Sequence, residues 1–327
     1  MKRITLKDIA NKMNVSTMTV SKALNNKPDI SIELKNRIID TAISMGYKTN
    51  NNQTASSYNF IFIITDRFFF ETDQFYSAIY QSISDLCYKN GCSLSIEIIR
   101  ENMENTFTIP ENILNKKAHG IFMVGEVSTE YLSKILSLSI PTVCIDFYKD
   151  EFPDLCYILT DNITSGYDIT KYLISLGHKH LGFIGNATFS SSIRDRKKGF
   201  LKALEEFNIK KAPTFFDRTD ELLIIQKKYM PTAIFATSDG EANMAVKTLA
   251  TNGYAIPAEI SVAGFDNIPL SKLGLKDLTT VNVDKVKMGQ LGFESLYNMV
   301  TKQQKCKTIQ LGTELIIRDS TWICSKK

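Results

Sequence analysis

The sequence is poor in the residues on which metal and imidazole chemistry depend. Its 327 residues include three histidines, His119, His178 and His180, too few to give a zinc site or a histidine-driven triad much weight. The six cysteines (Cys87, Cys92, Cys144, Cys156, Cys306 and Cys324) are scattered and include no C-x-x-C pair. They are expected to be reduced core thiols. The longest apolar runs, such as Phe60 to Ile64, are strand-length, far short of the ~20 residues of a membrane helix. Met1-Lys2-Arg3-Ile4-Thr5-Leu6-Lys7-Asp8 has no apolar core for an export signal. A cytoplasmic protein with no membrane partner is therefore expected. There is no G-x-x-x-x-G-K-[ST] and no G-x-S-x-G, so neither a phosphate cradle nor a serine elbow is in view. No cofactor, no catalytic residue and no enzymatic turnover are expected.

What is present is a globular composition, 43% hydrophobic, with 39 basic and 35 acidic side chains. The length allows two or three domains. The charge is uneven. Residues 1–50 hold nine Lys and Arg against four Asp and Glu, a net +5, which leaves the rest of the chain at −1. A basic module on a neutral body fits a polyanion partner for the first fifty residues; an ordinary solvated face is the other reading.

Those fifty residues carry three short helical patterns. Thr5 followed by Asp8 reads as a capping box, with Ile9, Ala10 and Met13 on one face. Asn14-Val15 make a turn, and Ser16 is an N-cap for a helix from Thr17 to about Asn25. That helix turns Val20, Ala23 and Leu24 inward and Thr17, Met18, Ser21, Lys22 and Asn25 outward. Asn26-Lys27-Pro28-Asp29 break the chain. Ser31 caps a third helix through Ile38, Ile39, Ala42 and Met45, closed by Gly46. This is a helix-turn-helix pattern whose second helix can enter a major groove. Thr17, Ser21 and Lys22 donate hydrogen bonds, and Met18 can touch a thymine methyl. A protein-docking module is the alternative, and the near absence of large apolar residues on the outward face opposes it.

Thr5-Leu6-Lys7-Asp8-Ile9-Ala10 and then Val15-Ser16-Thr17-Met18-Thr19-Val20-Ser21-Lys22-Ala23-Leu24-Asn25-Asn26, continued through Ser31 to Gly46-Tyr47, resemble the DNA-binding head of the lactose/galactose repressor (LacI/GalR) family. The resemblance implies DNA contacts from Thr5, Ser16, Thr17, Met18, Thr19, Ser21, Lys22 and Asn25. Tyr47 to Asn59 is polar and low in complexity and reads as a linker. Relatives place there a hinge helix whose leucine wedges into the minor groove. No leucine stands between Tyr47 and Asn59, so a flexible tether is expected here in place of a kinking helix.

From Phe60 onward, apolar strand-length runs alternate with helical patterns. Strands are expected at Phe60–Thr65, Leu94–Ile99, Ile121–Val124 and Thr142–Asp146, with helices around Phe75–Tyr88 and Glu130–Leu138. A second series has strands at Tyr157–Thr160, Leu181–Gly185, Thr232–Ala236 and Ser261–Gly264, with helices at Gly166–Gly177, Arg196–Asn208 and Glu241–Gly253. Continuous apolar strands separated by crossovers predict an α/β body of two doubly wound parallel-sheet lobes. Ligands in such folds bind at the carboxyl ends of strands and between lobes. That rule selects Thr65, Asp66, Asp146, Phe147, Ser238, Asp239, Asp266 and Asn267, a helix start at Ser192, Arg194 and Arg196, and nearby Phe68, Phe69, Phe70 and Tyr148. For each a structural role competes: Asp239 as a helix cap, the three phenylalanines as core or dimer surface. His178 is expected to be a satisfied structural residue, and Lys197-Lys198 a solvated face.

The body is similar to the same family over nearly all its length. Leu176 to Gly185 resembles the family's second-lobe strand, Ser192-Ile193-Arg194-Asp195-Arg196 its effector-binding helix start, and Leu278 to Val281 with Met288-Gly289 the return crossover. Ala236 to Asp239 and Val262 to Asn267 resemble two further ligand stretches, with Ser238 where the family more often has Asn. The resemblance implies a periplasmic-binding-protein-like body behind a three-helix DNA-binding domain. It implies effector contacts from Asp66, Phe68, Asp146, Phe147, Arg196, Ser238 and Asp266. The expected layout is a helix-turn-helix domain at 1–48, a linker at 49–59 and a body at 60–327. The first lobe takes 60–161 and 289–316, the second 162–288 and 317–327. The expected partners are double-stranded operator DNA, a small effector of carbohydrate type and a second copy of the chain, with the protein associated with the nucleoid. A periplasmic sugar-binding protein would share the body but have no basic helix-turn-helix. A sugar-processing enzyme could use Asp146 and Asp266 as a carboxylate pair, yet Arg196 suits hydroxyl clamping better. A regulator controlled by a phosphoprotein co-repressor stays open.

Overall fold

The computed structural model describes residues 4–24, 30–31, 34–35, 37–38, 41–42, 45, 58–69, 74–115, 118–223, 225–272 and 274–324, without the side chains of Phe69 and Leu223. The chain divides into two compact units, Met1–Ser56 and Ser57–Lys327, each taken by itself.

In the first unit, α1 (Leu6–Met13) opens on the capping box: the Asp8 amide donates to the Thr5 hydroxyl at 3.3 Å and the Thr5 amide to the Asp8 carboxylate at 2.7 Å. Such a cap is worth about 1 kcal/mol. Asn14 ends α1 in the left-handed conformation, φ 53°, which asparagine tolerates better than most residues. Ser16 caps α2 (Thr17–Leu24), accepting from the Thr19 amide at 3.0 Å. Ile9, Ala10, Val20 and Ala23 bury against Ile38 and Ala42, and residues 34–35, 37–38 and 41–42 are helical. Gly46, Tyr47 and the connector through residue 57 lie outside the described residues. Tyr58 and Asn59, the end of the stretch read as linker, do not behave as tether. Asn59 begins β1, and Tyr58 packs edge-on against His119 and Tyr297.

The second unit holds two parallel sheets. In the first lobe β1 (Asn59–Thr65), β2 (Ser93–Ile99), β3 (Gly120–Val124), β4 (Thr142–Ile145), β5 (Cys156–Thr160) and the late strand β11 (Ile309–Leu311) line up in the order β11-β5-β4-β3-β1-β2. Helices α3 (Gln74–Lys89) and α4 (Thr129–Leu136) belong to this lobe. In the second lobe β6 (Leu181–Ile184), β7 (Thr214–Phe216), β8 (Ala233–Ala236) and β9 (Ser261–Ala263) take the order β7-β6-β8-β9. Its helices are α5 (Asn162–Ser175), α6 (Ser191–Glu206) and α7 (Asp239–Thr251). β10 (Thr280–Asn282) pairs antiparallel with β12 (Glu314–Ile316), and α8 (Lys285–Lys302) returns to the first lobe against α3. The chain therefore crosses between lobes after β5, after β10 and after β11. Strands β3 and β8 are buried along their whole length, as expected of parallel strands covered on both faces.

Two features position the site. First, α6 starts at Ser191, five residues before the expected Arg196, because Ser190 accepts from the Ile193 amide at 3.2 Å and nucleates the helix earlier. Ser192 and Arg196 thereby stand one turn apart on one face. Second, α5 and α6 cross backbone to backbone. A Cβ on Gly166 would lie 2.4 Å from the Arg196 carbonyl oxygen, and one on Gly199 2.1 Å from that of Ile163. The expectation of six reduced thiols is corrected: Cys156 and Cys306 form a disulfide, with Cα atoms 5.2 Å apart, because β11 lies beside β5. Cys87 and Cys144 are buried free thiols. Burial, helped by nearby Cys92, pushes Cys87 up to about 12, and Cys144 is also raised by burial.

Candidate functional site

In the first unit the outward side of α2 is polar, with one apolar tip: Thr17 is exposed, Met18 is 67% exposed, and Thr19, Ser21 and Lys22 are half-buried. The first turn carries no acidic residue, so the positive helix end is not neutralised there. The Ser16 hydroxyl is engaged as the cap and shares a 2.8 Å hydrogen bond with the Thr19 hydroxyl. Thr5 is exposed but tied to Asp8. Asn25 lies outside the described residues.

In the second unit the strand-end aspartates have unusual backbones. Asp146 ends β4 at φ 66° and Asp266 follows β9 at φ 99°. Non-glycine residues pay for such angles and keep them only where their surroundings enforce it, which happens disproportionately at functional sites. The enforcement is visible. The Asp146 amide donates to Ile158 and the Asp266 amide to Val281, both at 2.9 Å. The Lys285 ammonium donates to the carbonyls of Asp266, Asn267 and Val283, using all three of its donors.

Around these backbones the side chains converge across the lobes. The Tyr76 hydroxyl donates to Asp146 Oδ2 at 2.8 Å. Ser192 Oγ, from the second lobe, donates to the Asp146 carbonyl at 2.8 Å and reaches Oδ1 at 3.3 Å. Arg196 is 5% exposed. Its Nε donates to Asn162 Oδ1 at 2.8 Å and its Nη1 to the Thr237 carbonyl. Its Nη2 lies 3.6 Å from Asp266 Oδ1, and its guanidinium sits 3.7 Å from the Phe265 ring centroid. The start of α6 also docks on Glu126 of the first lobe, whose Oε2 accepts from the Ser191 amide at 2.9 Å and from its hydroxyl at 3.2 Å. Lys149 pairs with Glu126 Oε1. Tyr148 donates its amide to Ser191 Oγ at 3.0 Å and its hydroxyl to Asp195. Thr65, at the end of β1, is fully buried with a hydroxyl that has no hydrogen-bond partner among the described residues. A pocket of about 350 Å³ spans both lobes beside this cluster, lined by Tyr148, Tyr157, Thr160, Asn162, Ser192 and Asp195 among others.

The expected effector residues divide. Asp146, Arg196 and Asp266 join the cross-lobe cluster. Phe68, 9% exposed, packs edge-on against Tyr76 and against Phe189 of the second lobe. Asp66 begins a short helical turn at the end of β1 and is half-buried. Phe147 is corrected: it is fully buried in the first-lobe core with Ile61, Ile63 and Tyr131, because the turn at Asp146 swings the next side chain inward. Ser238 caps α7, accepting from the Glu241 amide at 3.1 Å, and lines a different cavity of about 700 Å³ in the second lobe with Arg218, Asn243 and Leu270. Asp239 is fully buried and accepts from the Thr280 hydroxyl at 2.6 Å and the Ile268 amide at 2.9 Å. Burial pushes its carboxyl up to about 7 against those donors. Sequence reasoning missed Tyr76, Glu126, Asn162 and Lys285. His178 is a core residue that contacts Thr232, Ser261 and the Trp322 carbonyl, held below its usual range by burial. Among the described residues there is no cluster of metal-ligating side chains and no helix long and apolar enough to cross a membrane.

Comparison with known proteins places these features. The family described as bacterial regulatory proteins, lacI family, matches residues 5–50, and the periplasmic binding protein-like domain matches residues 170–321. The HTH-type transcriptional repressor PurR of Pasteurella multocida is 28% identical, over 97% of this chain and 98% of its own length. That of Mannheimia succiniciproducens is 26% identical over the same shares. Among solved structures, the lac repressor dimer bound to operator and the anti-inducer ONPF shares the fold with a TM-score of 0.72 at 20% identity, over 98% of this chain and all of that one. The complex of the transcriptional regulator CelR with cellobiose gives 0.72 at 19% identity, over 97% of this chain and all of that one. With the lacI family matching the head, the periplasmic binding protein-like domain matching much of the body, and full-length relatives named as transcriptional repressors, the chain is a DNA-binding transcriptional regulator of the LacI/GalR type.

Proposed function

We propose that the chain represses transcription from a pseudo-palindromic operator as a cytoplasmic homodimer, and that a small polyhydroxylated effector, a sugar or sugar derivative, sets its operator affinity from between the lobes. Thr17, Met18, Ser21, Lys22 and Asn25 would read base edges, with Thr5, Ser16 and Thr19 nearer the phosphates. The observation that carries the effector reading is the convergence of two left-handed, buried aspartates and one buried arginine from opposite lobes. Carboxylates accept from vicinal hydroxyls, and a guanidinium donates in a fixed fork. The solved relatives bound to cellobiose and to ribose favour a carbohydrate. Effector binding would shift the lobes between two arrangements and the dimer between operator-competent and incompetent states, a coupling of typically ~1–3 kcal/mol.

The test is a thermal-shift screen of the full chain against monosaccharides, disaccharides and their phosphates, followed by selection of bound sequences from random DNA with and without each hit. A carbohydrate that raises Tm and changes retention of a two-half-site sequence supports the reading. A hit confined to other compound classes, or an enriched sequence without dyad symmetry, overturns it.

A further inference from the structure

We infer that Cys156 and Cys306 form a thiol–disulfide modification site that sets the stiffness of the hinge between the lobes. The two residues are 150 positions apart in sequence and bonded in the structure. A regulator that acts on DNA works among reducing thiols, and disulfides found in such surroundings are more often transient and redox-sensing than structural.

The location gives the bond its consequence. Cys156 opens β5 and Cys306 stands three residues before β11. These neighbouring strands run parallel for three pairs, Ile309 with Ile158, Gln310 with Leu159 and Leu311 with Thr160. At their far ends both pass directly into crossovers between the lobes, at Asp161 and at Gly312. There the Asp161 amide donates to the Leu311 carbonyl at 2.8 Å, and the hydroxyls of Ser165 and Thr313 share a 2.7 Å hydrogen bond. β11 is the edge strand of its sheet, so without the bond it is held by one short ladder. With it, the two strands that lead into two of the three crossovers are also covalently joined at their opposite ends.

The two thiols differ in access. Cys156 is 3% exposed, whereas Cys306 is partly exposed between exposed Lys305 and Lys307. It lies beside a groove of about 370 Å³ lined by Leu291, Glu294, Ser295 and Asn298 among others. Cys306 is therefore the sulfur that a small disulfide can reach, and its thiolate is the attacking form. The reaction is an exchange with a low-molecular-weight disulfide. The Cys306 thiolate attacks one of its sulfurs and releases one small thiolate. The Cys156 thiolate then attacks Cys306 Sγ and releases the second. Two electrons pass from the protein thiols to the small disulfide, and the two thiol protons pass to the solvent or the released thiolates.

The test equilibrates the full chain in reduced or oxidised glutathione, alkylates free thiols, maps disulfide-linked peptides by mass spectrometry and follows amide hydrogen exchange. The oxidised chain should yield the Cys156–Cys306 linked peptide, and its amides in 158–165 and 309–316 should exchange on the order of tenfold more slowly than in the reduced chain. The Cys306→Ser chain should exchange at the reduced rate in both buffers; should it fail to fold, the reduced and oxidised natural chain decide alone. A link between other cysteines, or a Cys156–Cys306 link without slowed exchange at the crossovers, overturns the inference. Neither outcome depends on which effector the cleft takes.

Discussion

Ser192 of the second lobe donates its hydroxyl to the Asp146 carbonyl of the first at 2.8 Å, so the side chain offered by one lobe occupies an acceptor of the other. With Glu126 accepting twice from Ser191, the start of α6 is docked on the first lobe through polar groups that are all nearly buried. A buried hydrogen bond of this kind contributes about 0.5–1.5 kcal/mol. Ser192→Ala should therefore move the ligand-free lobes toward the open arrangement by up to roughly tenfold in population. Small-angle X-ray scattering checks it: the variant should show a larger radius of gyration than the natural chain, and superimposable curves would show that this bond does not hold the lobes.

Arg196 and Asp266 should each matter to effector affinity more than an exposed hydrogen bond would. Both are about 95% buried, and truncating one leaves the other charged and desolvated, a cost on the order of 2 kcal/mol or more. Arg196→Ala and Asp266→Ala should weaken binding at least tenfold by calorimetry on the full chain with the effector found by screening. Operator binding without effector should stay near that of the natural chain. Unchanged effector affinity in both variants would move the site elsewhere.

Much of this cluster was legible because strand ends in a parallel α/β body are where ligands bind. Asp146, Asp266 and the start of α6 follow from that rule and the apolar runs before them. The supporting residues carry no such mark. Tyr76 lies inside an amphipathic helix, Glu126 in a loop, and Lys285 at a helix start 19 residues from the backbone it fixes. Phe147 was misplaced because the strand-end rule selects by position alone, and after the left-handed turn at Asp146 the next side chain enters the core. The Cys156–Cys306 bond was invisible because it depends on a strand added to the sheet from 150 residues away. β7, β10 and β12 are three residues each, too short for periodicity to register.

Gly166 should tolerate no side chain. A methyl group there meets the Arg196 carbonyl at 2.4 Å and its Cα at 3.0 Å, backbone atoms that yield only if α6 moves. Gly166→Ala should destabilise the chain by about 1–3 kcal/mol as an overpacking change, and displace Arg196 as it does so. Urea unfolding measures the first effect. An unchanged midpoint would show that the two helices separate freely.

Asp239 makes stability depend on pH in a direction opposite to that of an ordinary paired carboxylate. Its folded value, raised from 3.8 to about 7 by burial, means that the folded chain binds the proton more tightly than the unfolded one. That contribution is fully present below about pH 4 and is lost as pH rises through 7. Its size is at most about 4 kcal/mol. Other carboxylates add their own slopes, so the comparison is between chains. The fall in urea midpoint from pH 5 to pH 8 should be smaller in Asp239→Asn than in the natural chain. Parallel curves would show that Asp239 is already ionised at pH 5.

Lys22 stands in the last turn of α2, on the side that also carries exposed Met18, where we propose that it donates to base edges. If it reaches guanine N7 and O6 in the major groove, its loss removes a specific contact worth about 1–3 kcal/mol. If it reaches only a phosphate, its loss weakens every sequence alike and lowers the salt dependence by about one counterion. Lys22→Ala should therefore lower affinity for the selected operator roughly tenfold or more, while affinity for random DNA falls much less. Lys22 is half-buried, so folding is checked first by circular dichroism. Titrations at two salt concentrations then separate the cases. Equal losses on operator and random DNA, with a shallower salt slope, would assign Lys22 to the backbone and leave base reading to Thr17, Met18 and Ser21.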